Sequence, residues 1–181
     1  HMDEYVGMHA EHPASFRRYM RERIVARVHP AEFHELAGDA PDVDTEIARY
    51  TKVLRDHPLD LCCLGIGENG HLAFNDPHVA DFDDPADVKV VDLDDRCRAQ
   101  QVGEGHFPTI ADVPPRALTV TIPALLRART LVVVVPEARK AKSVHDALLG
   151  PVSTACPSSV LRGHAHATLY LDAESSSLLH K

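Results

Sequence analysis

A glycine-rich stretch around a single histidine is the segment of this chain best suited to chemistry. It reads Gly65-Ile66-Gly67-Glu68-Asn69-Gly70-His71-Leu72-Ala73-Phe74-Asn75-Asp76-Pro77. The glycines let the backbone turn sharply and come close to a ligand. A histidine oriented by a carboxylate such as that of Asp76, with Asn69 also near in sequence, can serve as a general acid or base. A structural turn that holds a hydrogen-bonded histidine would have the same spacing.

Two further pairs of charged residues are candidates for the same site. Asp3 and Glu4 are adjacent carboxylates that precede Tyr5. In an extended chain only one of them can reach a given substrate atom, because neighbouring side chains point to opposite faces. Arg139 and Lys140 follow a predicted strand and could bind phosphate, although a solvated helix face would show the same pattern.

Composition argues against several classes of function. The net charge of −8 with neutral histidines disfavours nucleic-acid binding through a basic surface. A helix N-terminus with one or two cations can still bind an anionic substrate.

His164 and His166 suggest a metal ligand pair, but no third ligand stands at a useful spacing, so no metal is predicted.

The cysteines and the hydropathy pattern bear on the compartment. The four cysteines form no C-x-x-C motif, which predicts reduced, buried thiols in a cytosolic protein. No apolar run reaches the ~18 residues of a membrane span. The first ten residues contain no apolar core of a signal peptide, so we expect a cytoplasmic protein without a membrane partner.

The elements that must position these residues alternate along the chain. Strands are predicted at Asp60 to Gly65, Val88 to Leu93, Leu118 to Ile122, Leu131 to Val135 and Ala167 to Leu171. One helix is predicted where Phe16, Met20, Ile24 and Val28 recur every four residues, with Pro13 at its first turn. A second helix is predicted where Val43, Ile47, Tyr50 and Leu54 follow Pro41. A third is predicted from Glu137 to Leu149, with Gly150 as its C-cap.

This alternation predicts one α/β domain over residues 1–181. We expect a three-layer, mostly parallel open sheet with helices on both faces, a modified Rossmann-like fold. In such sheets ligands bind beyond the carboxyl ends of the strands, which is where the His71 stretch follows its strand. Surface loops are predicted at Pro77 to Asp87 and at Thr109 to Pro115.

Taken together, these segments resemble the glucosamine-6-phosphate deaminase family, also called the glucosamine-6-phosphate isomerase family. Met2 to Gly7 is similar to the M-D-E-Y-x-G element of the family, and residues 65–77 are similar to its G-x-G-x-[DN]-G-H-[IL]-[AG]-F-N-E-P element. Further matches in the same order are His12 to Phe16, Ala117 to Val120, Arg139 to Ala141 and Ala167 to Asp172. The resemblance covers nearly the whole chain.

The resemblance implies that glucosamine 6-phosphate and water become fructose 6-phosphate and ammonia. His71 would open the sugar ring by moving a proton between the anomeric hydroxyl and the ring oxygen. Asp3 would carry the C2 proton to C1 through a cis-enolamine, while Asn69 and Asp76 would orient His71. The implied substrate-binding residues are Lys140 for the phosphate, Gly70 and Glu4. No metal or organic cofactor is implied, the partner is the sugar phosphate alone, and a homo-oligomer is one option because family members differ.

The chain departs from the family in three places. The family usually has Glu at Asp76, so we expect a longer or water-bridged contact with His71. Gln101 stands where some members place a phosphate-binding arginine, which predicts weaker phosphate affinity. The family also has a strand and a Gly-Thr/Ser-rich phosphate loop before Asp3, so the domain is expected to lack both. Residues of an allosteric site are not recognisable around Pro77 to Asp87.

Three other functions stay open at this point. A 6-phosphogluconolactonase shares the superfamily but typically continues G-H-T-A-S-L-F-P, whereas His71 is followed by Leu-Ala-Phe-Asn-Asp-Pro. A sugar-phosphate-binding regulator could keep the fold and lose turnover. An enzyme for another amino-sugar phosphate would have similar motifs. The deaminase activity is favoured by the M-D-E-Y context of Asp3.

Overall fold

The chain folds into two compact units, each made from two separate stretches of sequence. The structure, a computed structural model, describes residues 1–179. Unit 1 takes His1–Asp56 and Val88–Thr119, and unit 2 takes His57–Asp87 and the remainder from Val120. Chemistry-bearing residues are therefore divided between the units: Asp3 and Glu4 belong to unit 1, and the His71 loop and Lys140 belong to unit 2.

Strands and helices alternate through most of the chain. The strands are β1 (Asp3–Tyr5), β2 (Leu61–Leu64), β3 (Val88–Asp92), β4 (Arg116–Val120), β5 (Thr130–Val135) and β6 (Ala167–Leu171). The helices are α1 (Phe16–Met20), α2 (Ala26–Val28), α3 (Val43–Asp56), α4 (Asp95–Gly103), α5 (Ile122–Leu126) and α6 (Ala141–Leu149). A π-helical turn, Arg21–Val25, joins α1 to α2, and 3₁₀ turns form at Ile110–Asp112, Ala138–Lys140 and Pro157–Gly163. Within residues 1–179, no helix is both long and apolar enough to span a membrane.

The strands form two three-stranded sheets with different pairing. In unit 2 the order is β2-β5-β6 and all pairs are parallel, with Leu64 opposite Val133 and Val133 opposite Leu169. In the other sheet, of order β1-β4-β3, β1 runs antiparallel to β4 and Asp3 faces Thr119. The predicted α/β class with a parallel sheet is confirmed. The antiparallel β1 escaped prediction because three residues are too few to show an alternating pattern.

The predicted strands form with small shifts in their ends. The largest shift is at Leu118 to Ile122, because the observed strand is Arg116–Val120. Thr121 ends the strand by capping α5, since its hydroxyl oxygen accepts the backbone N–H of Ala124 at 3.4 Å. Pro123 then occupies the first turn of α5, a position at which proline is well tolerated.

The predicted helices form, but the first of them differs from its prediction in two details. The first helix starts at Phe16, so Pro13 lies outside its first turn. Ile24 and Val28, predicted on its buried face, are 42% and 67% exposed. The four-residue spacing predicted the helix correctly, but it did not predict which face of the helix is buried. In contrast, Tyr50 lies on the predicted apolar face of α3 and is buried.

Four helical segments were not predicted, and α4 shows why. Its sequence is mostly polar, so no apolar period marks it. Its N-cap is sound, because Asp94 accepts the backbone N–H of Cys97 at 2.7 Å. Its buried residues are Cys97 and Gln101 rather than an apolar stripe. The other three are α5 and the 3₁₀ turns Ile110–Asp112 and Pro157–Gly163. The helix predicted from Glu137 is split into a 3₁₀ turn and α6, and Gly150 is its C-cap as predicted, in an extended conformation.

The cysteines are all free thiols, but not all are buried. Cys62 and Cys97 are buried, Cys156 is half-buried and Cys63 is exposed. Cys62 and Cys63 differ because successive residues of a strand face opposite sides of the sheet. The prediction of buried thiols is therefore correct for two of the four.

Candidate active site

The loop after β2 places His71 at the carboxyl edge of the parallel sheet. Two backbone hydrogen bonds close this loop, from Gly67 N–H to His71 O and from Gly70 N–H to Gly67 O, each at 3.0 Å. Gly70 has a φ of +86°, a conformation that favours glycine. The sequence thus forms a tight glycine turn directly before the histidine, in the position where ligands bind to such sheets.

His71, Asp76 and Asn69 form one hydrogen-bonded group. His71 Nδ1 lies 2.9 Å from Asp76 Oδ1, and Asn69 Nδ2 donates to the same oxygen at 2.7 Å. Asn69 Oδ1 also accepts the backbone N–H of His71 at 3.1 Å. The expected long or water-bridged contact to Asp76 is wrong, because the loop itself brings the shorter side chain within direct reach. The three predicted residues lie together, and their catalytic roles stay a prediction.

The electrostatics of this group suit proton transfer. Asp76 is 0% exposed and His71 is 9% exposed, so their interaction is only weakly screened by water. An ionised Asp76 accepts the hydrogen bond, which places the proton of a neutral His71 on Nδ1 and leaves Nε2 to exchange protons with a ligand. The buried carboxylate then stabilises the imidazolium that forms when Nε2 takes up a proton.

Gly70 is held against a second loop of unit 2. Its carbonyl accepts the backbone N–H of Ser158 at 2.8 Å. A β carbon at residue 70 would lie 2.6 Å from the Cys156 sulfur, so close packing as well as the positive φ favours glycine here. These contacts fix the backbone beside His71, and binding of substrate by Gly70 stays a prediction.

The cations predicted to bind phosphate follow β5 at the same edge of the sheet. Arg139 Nε lies 2.7 Å from Glu137 Oε2, and its Nη1 lies 3.8 Å from Glu68 Oε1 in the His71 loop. The carbonyl of Lys140 accepts the Ser143 hydroxyl at 3.0 Å at the start of α6. Phosphate binding by Lys140 stays a prediction.

Glu137 joins β5 to this basic turn in a strained conformation. Its φ of 82° and ψ of 143° lie in a region populated almost only by glycine. Its backbone N–H donates to Asp172 Oδ2 at 3.0 Å, just after β6. Backbone hydrogen bonds from Ser175 and Glu137 lower the pKa of Asp172 below its usual range. Segments after β5 and β6 are therefore tied together by this carboxylate.

The two carboxylates of unit 1 have different surroundings. Glu4 is fully buried and accepts the Ser15 hydroxyl at 2.6 Å and the backbone N–H of Arg17 at 3.0 Å. These bonds anchor the start of α1. Asp3 is half-buried on β1 opposite Thr119. The predicted substrate contact of Glu4, and the predicted approach of Asp3 to His71 in one cleft, stay predictions.

A buried contact between Tyr5 and Gln101 was missed by sequence reasoning. The Tyr5 hydroxyl donates to Gln101 Oε1 at 2.7 Å, and the Tyr5 ring stacks on Phe16 and meets Phe107 edge-on. Burial raises the pKa of Tyr5, so its hydroxyl remains a donor. Gln101 thus holds α4 to β1, and its predicted effect on phosphate affinity stays untested.

The histidine pair considered as a metal site has ordinary surroundings. A ring nitrogen of His164, Nε2, lies 2.9 Å from the carbonyl oxygen of Ala128, and its Nδ1 accepts the backbone N–H of His166 at 3.2 Å. Throughout residues 1–179, no three His, Cys, Asp or Glu side chains are grouped so as to hold a metal ion.

The sequence is similar to known proteins over nearly its full length. The family model of glucosamine-6-phosphate isomerases and 6-phosphogluconolactonases matches residues 2–170. A glucosamine-6-phosphate deaminase of Listeria monocytogenes serotype 4a (strain HCC23) is 37% identical over 98% of this chain and 74% of its own length. A glucosamine-6-phosphate deaminase of Exiguobacterium sibiricum is 36% identical over 98% of this chain and 69% of its own.

Solved structures show the same relationship. A monomeric glucosamine-6-phosphate deaminase superposes with a TM-score of 0.89 at 32% identity, covering 98% of this chain and 73% of the other. The 6-phosphogluconolactonase of Thermotoga maritima superposes with a TM-score of 0.71 at 18% identity, covering 94% and 70%. The second likeness concerns the fold alone.

Proposed function

This chain belongs to the family of glucosamine-6-phosphate isomerases and 6-phosphogluconolactonases, and from this premise we propose that it is a glucosamine-6-phosphate deaminase. In this reaction glucosamine 6-phosphate and water form fructose 6-phosphate and ammonia. The observation that carries the proposal is the group of His71, Asp76 and Asn69 in the glycine loop after β2. The relatives at 36–37% identity are named as deaminases.

Ring opening is the step that the His71 group can perform. Nε2 of His71 takes the proton of the anomeric hydroxyl and returns it to the ring oxygen, so one residue acts first as base and then as acid. Asp76 holds the imidazole in the required tautomer and stabilises its charged form. Asn69 fixes both partners, because its amide binds the carboxylate and the His71 backbone.

Isomerisation needs a second base, and we assign it to Asp3. A C2 proton becomes acidic only after the ring opens and the neighbouring C1 carbonyl can accept the electrons. One carboxylate can then take the proton from C2 and return it to C1, since both carbons lie on one face of a planar intermediate. Water then adds to the imine left at C2, and ammonia leaves. Glu4 is committed to the start of α1 by its buried hydrogen bonds, which favours Asp3 as the base of the pair.

Substrate binding is proposed at the carboxyl edge of the parallel sheet. Lys140 binds the phosphate as a point charge at the turn before α6. Gly70 contacts the sugar through its backbone, where the missing side chain permits close approach. Lactone hydrolysis has less support, because the solved lactonases are only 16–20% identical and share the fold alone.

The cellular context follows from the proposed reaction. We place the enzyme in cytoplasmic amino-sugar breakdown, such as N-acetylglucosamine catabolism. Its four free cysteines fit a reducing compartment. The solved deaminase relative is monomeric and gives no support to a homo-oligomer.

The deciding experiment measures ammonia and fructose 6-phosphate released from glucosamine 6-phosphate. We expect turnover that His71→Gln and Asp3→Asn both reduce by at least ~100-fold. His145→Gln is a matched control, because His145 also lies beside an aspartate, Asp146, at 3.1 Å but on the surface. This variant should keep full activity. Folded protein that binds the sugar phosphate without releasing ammonia would favour the regulator instead, and release of acid from 6-phosphogluconolactone would favour the lactonase.

A further inference from the structure

Asn75 lies between His71 and Asp76 in the sequence and is 0% exposed. Its side-chain Nδ2 donates to two carbonyl oxygens, those of Leu72 and Val120, each at 2.9 Å. We propose that Asn75 is a positioning residue that holds His71 and Asp76 in the geometry needed for proton transfer. This inference rests on the proposed deaminase function. Because Asn75 is fully buried, it acts through its neighbours and not on the substrate.

The first bond of Asn75 closes the turn between the two functional residues. The backbone N–H of Asn75 also donates to Leu72 O, at 3.0 Å. Within this turn Ala73 has a φ of 52°, a left-handed conformation that a residue with a β carbon adopts at a steric cost. The side-chain bond offsets that cost. Since His71 directly precedes the turn and Asp76 directly follows it, its shape sets the distance between ring and carboxylate.

The second bond ties the turn to a buried part of unit 2. Val120 precedes Thr121, which caps α5 through its hydroxyl. On α5, Ile122 and Leu125 are 0% and 1% exposed. The start of α5 is therefore a fixed point in the core, and the Asn75 amide fastens the His71 turn to it.

The amide of Asn75 matches this position. Both partners are carbonyl oxygens, so the contacting group must donate two hydrogen bonds, and Asn75 Nδ2 has two N–H groups. A carboxylate of the same shape has no N–H group, so its oxygens would face the two carbonyl oxygens without forming a hydrogen bond. An apolar side chain would leave both buried carbonyls without these bonds.

The test separates positioning from simple stabilisation by comparing kcat with KM. Asn75→Asp keeps the shape and removes both donors, and we expect kcat to fall roughly 30- to 100-fold while KM changes less than about 3-fold. Tyr50→Phe is the matched control, because the buried Tyr50 hydroxyl also faces two carbonyls, those of His1 at 2.6 Å and His34 at 3.3 Å, outside the site. It should lower the melting temperature and keep kcat. Equal kcat in both variants would overturn the proposal.

A spectroscopic readout keeps the proposal testable without turnover. The proton on His71 Nδ1, identified by its loss in His71→Gln, should give a distinct NMR signal through its bond to Asp76. We expect this signal to shift or broaden in Asn75→Asp and in Asn75→Ser, which keeps one donor and serves if the first variant does not fold. An unchanged signal in a folded Asn75 variant would overturn the proposal. Absent turnover with a shifted signal would count against the deaminase function and not against positioning.

Discussion

The imidazole ring of His71 lies directly over the Cα of Gly67. A β carbon at residue 67 would overlap three ring atoms, Cε1, Nε2 and Cδ2. The same glycine donates its backbone N–H to the His71 carbonyl at 3.0 Å. Gly67 therefore lies directly under the ring and also donates the hydrogen bond that closes the loop. Glycine is required at this position for steric reasons alone.

Gly67→Ala is expected to displace the His71 ring and to lower kcat by about 100-fold or more, because misplacing a catalytic group by ~1 Å has this effect. Steady-state kinetics on folded protein is the measurement. Gly103→Ala at the end of α4 is the control, since a β carbon there would meet nothing within 4 Å. A Gly67→Ala variant with a normal kcat would refute the close approach of the His71 ring to residue 67.

Asp76→Asn removes the buried charge beside His71 and preserves the shape of the side chain. We expect kcat to fall by roughly 100-fold or more, because the imidazolium loses its stabilising carboxylate and the ring its fixed tautomer. Asp146→Asn makes the matching change in the half-exposed His145 pair and should leave kcat unchanged. A fall of less than about 3-fold in Asp76→Asn would mean that Asp76 does not support His71 in catalysis.

Glu137→Gly should stabilise the protein, because glycine adopts the observed backbone conformation at low cost. Glu137→Ala loses the same ion pair with Arg139 and keeps the strain, so the comparison of the two isolates the backbone effect. We expect the glycine variant to exceed the alanine variant by ~1 kcal/mol in the free energy of unfolding by urea. Equal stabilities would show that residue 137 is not strained.

The Asp172 carboxylate should make stability depend on pH. Hydrogen bonds from the backbone of Ser175 and Glu137 hold its pKa below the ordinary value. Such a group contributes stability above its unfolded pKa, about 4, and loses it as pH falls through the lower folded pKa. Asp172→Asn should therefore melt below the wild type near pH 7, and the gap should close below about pH 4. A gap that is equally large near pH 3 would contradict this assignment.

The two adjacent cysteines should differ in reactivity toward a thiol reagent. Burial raises the pKa of the Cys62 thiol to about 11, whereas Cys63 is exposed. Because the thiolate is the reactive form, Cys62 should be inert in the native protein near pH 8. The fastest labelling phase should vanish in Cys63→Ser and persist in Cys62→Ser. The reverse pattern would place Cys62 on the surface.

Local sequence patterns identified the elements whose signals are themselves local. The β-branched run at Leu131 to Val135 predicted β5, and the glycine loop predicted that His71, Asn69 and Asp76 would be neighbours. In each case the interacting residues lie within a few positions of one another. The sequence spacing could not reveal the direct contact between Asp76 and His71, because that contact depends on how tightly the loop turns.

Contacts between distant residues had no signal in the sequence. Tyr5 and Gln101 are 96 positions apart, and neither residue type demands the other. The bond from Asn75 to Val120 spans 45 positions and depends on where β4 ends. Alignment of homologues or coordinates is needed to find such pairs, whereas a single sequence shows only a buried-looking tyrosine and two amides.

The interleaving of the two units has a consequence during protein synthesis. Strand β1 pairs with β4, where Asp3 lies opposite Thr119, and β2 pairs with β5, which in turn pairs with β6. A growing chain therefore carries β1 without its native neighbour until β4 has left the ribosome, and β2 waits similarly for β5. Unpaired strand edges are prone to aggregation, so we expect the nascent chain to depend on chaperones. A chain released before β6 would leave one edge of β5 permanently open.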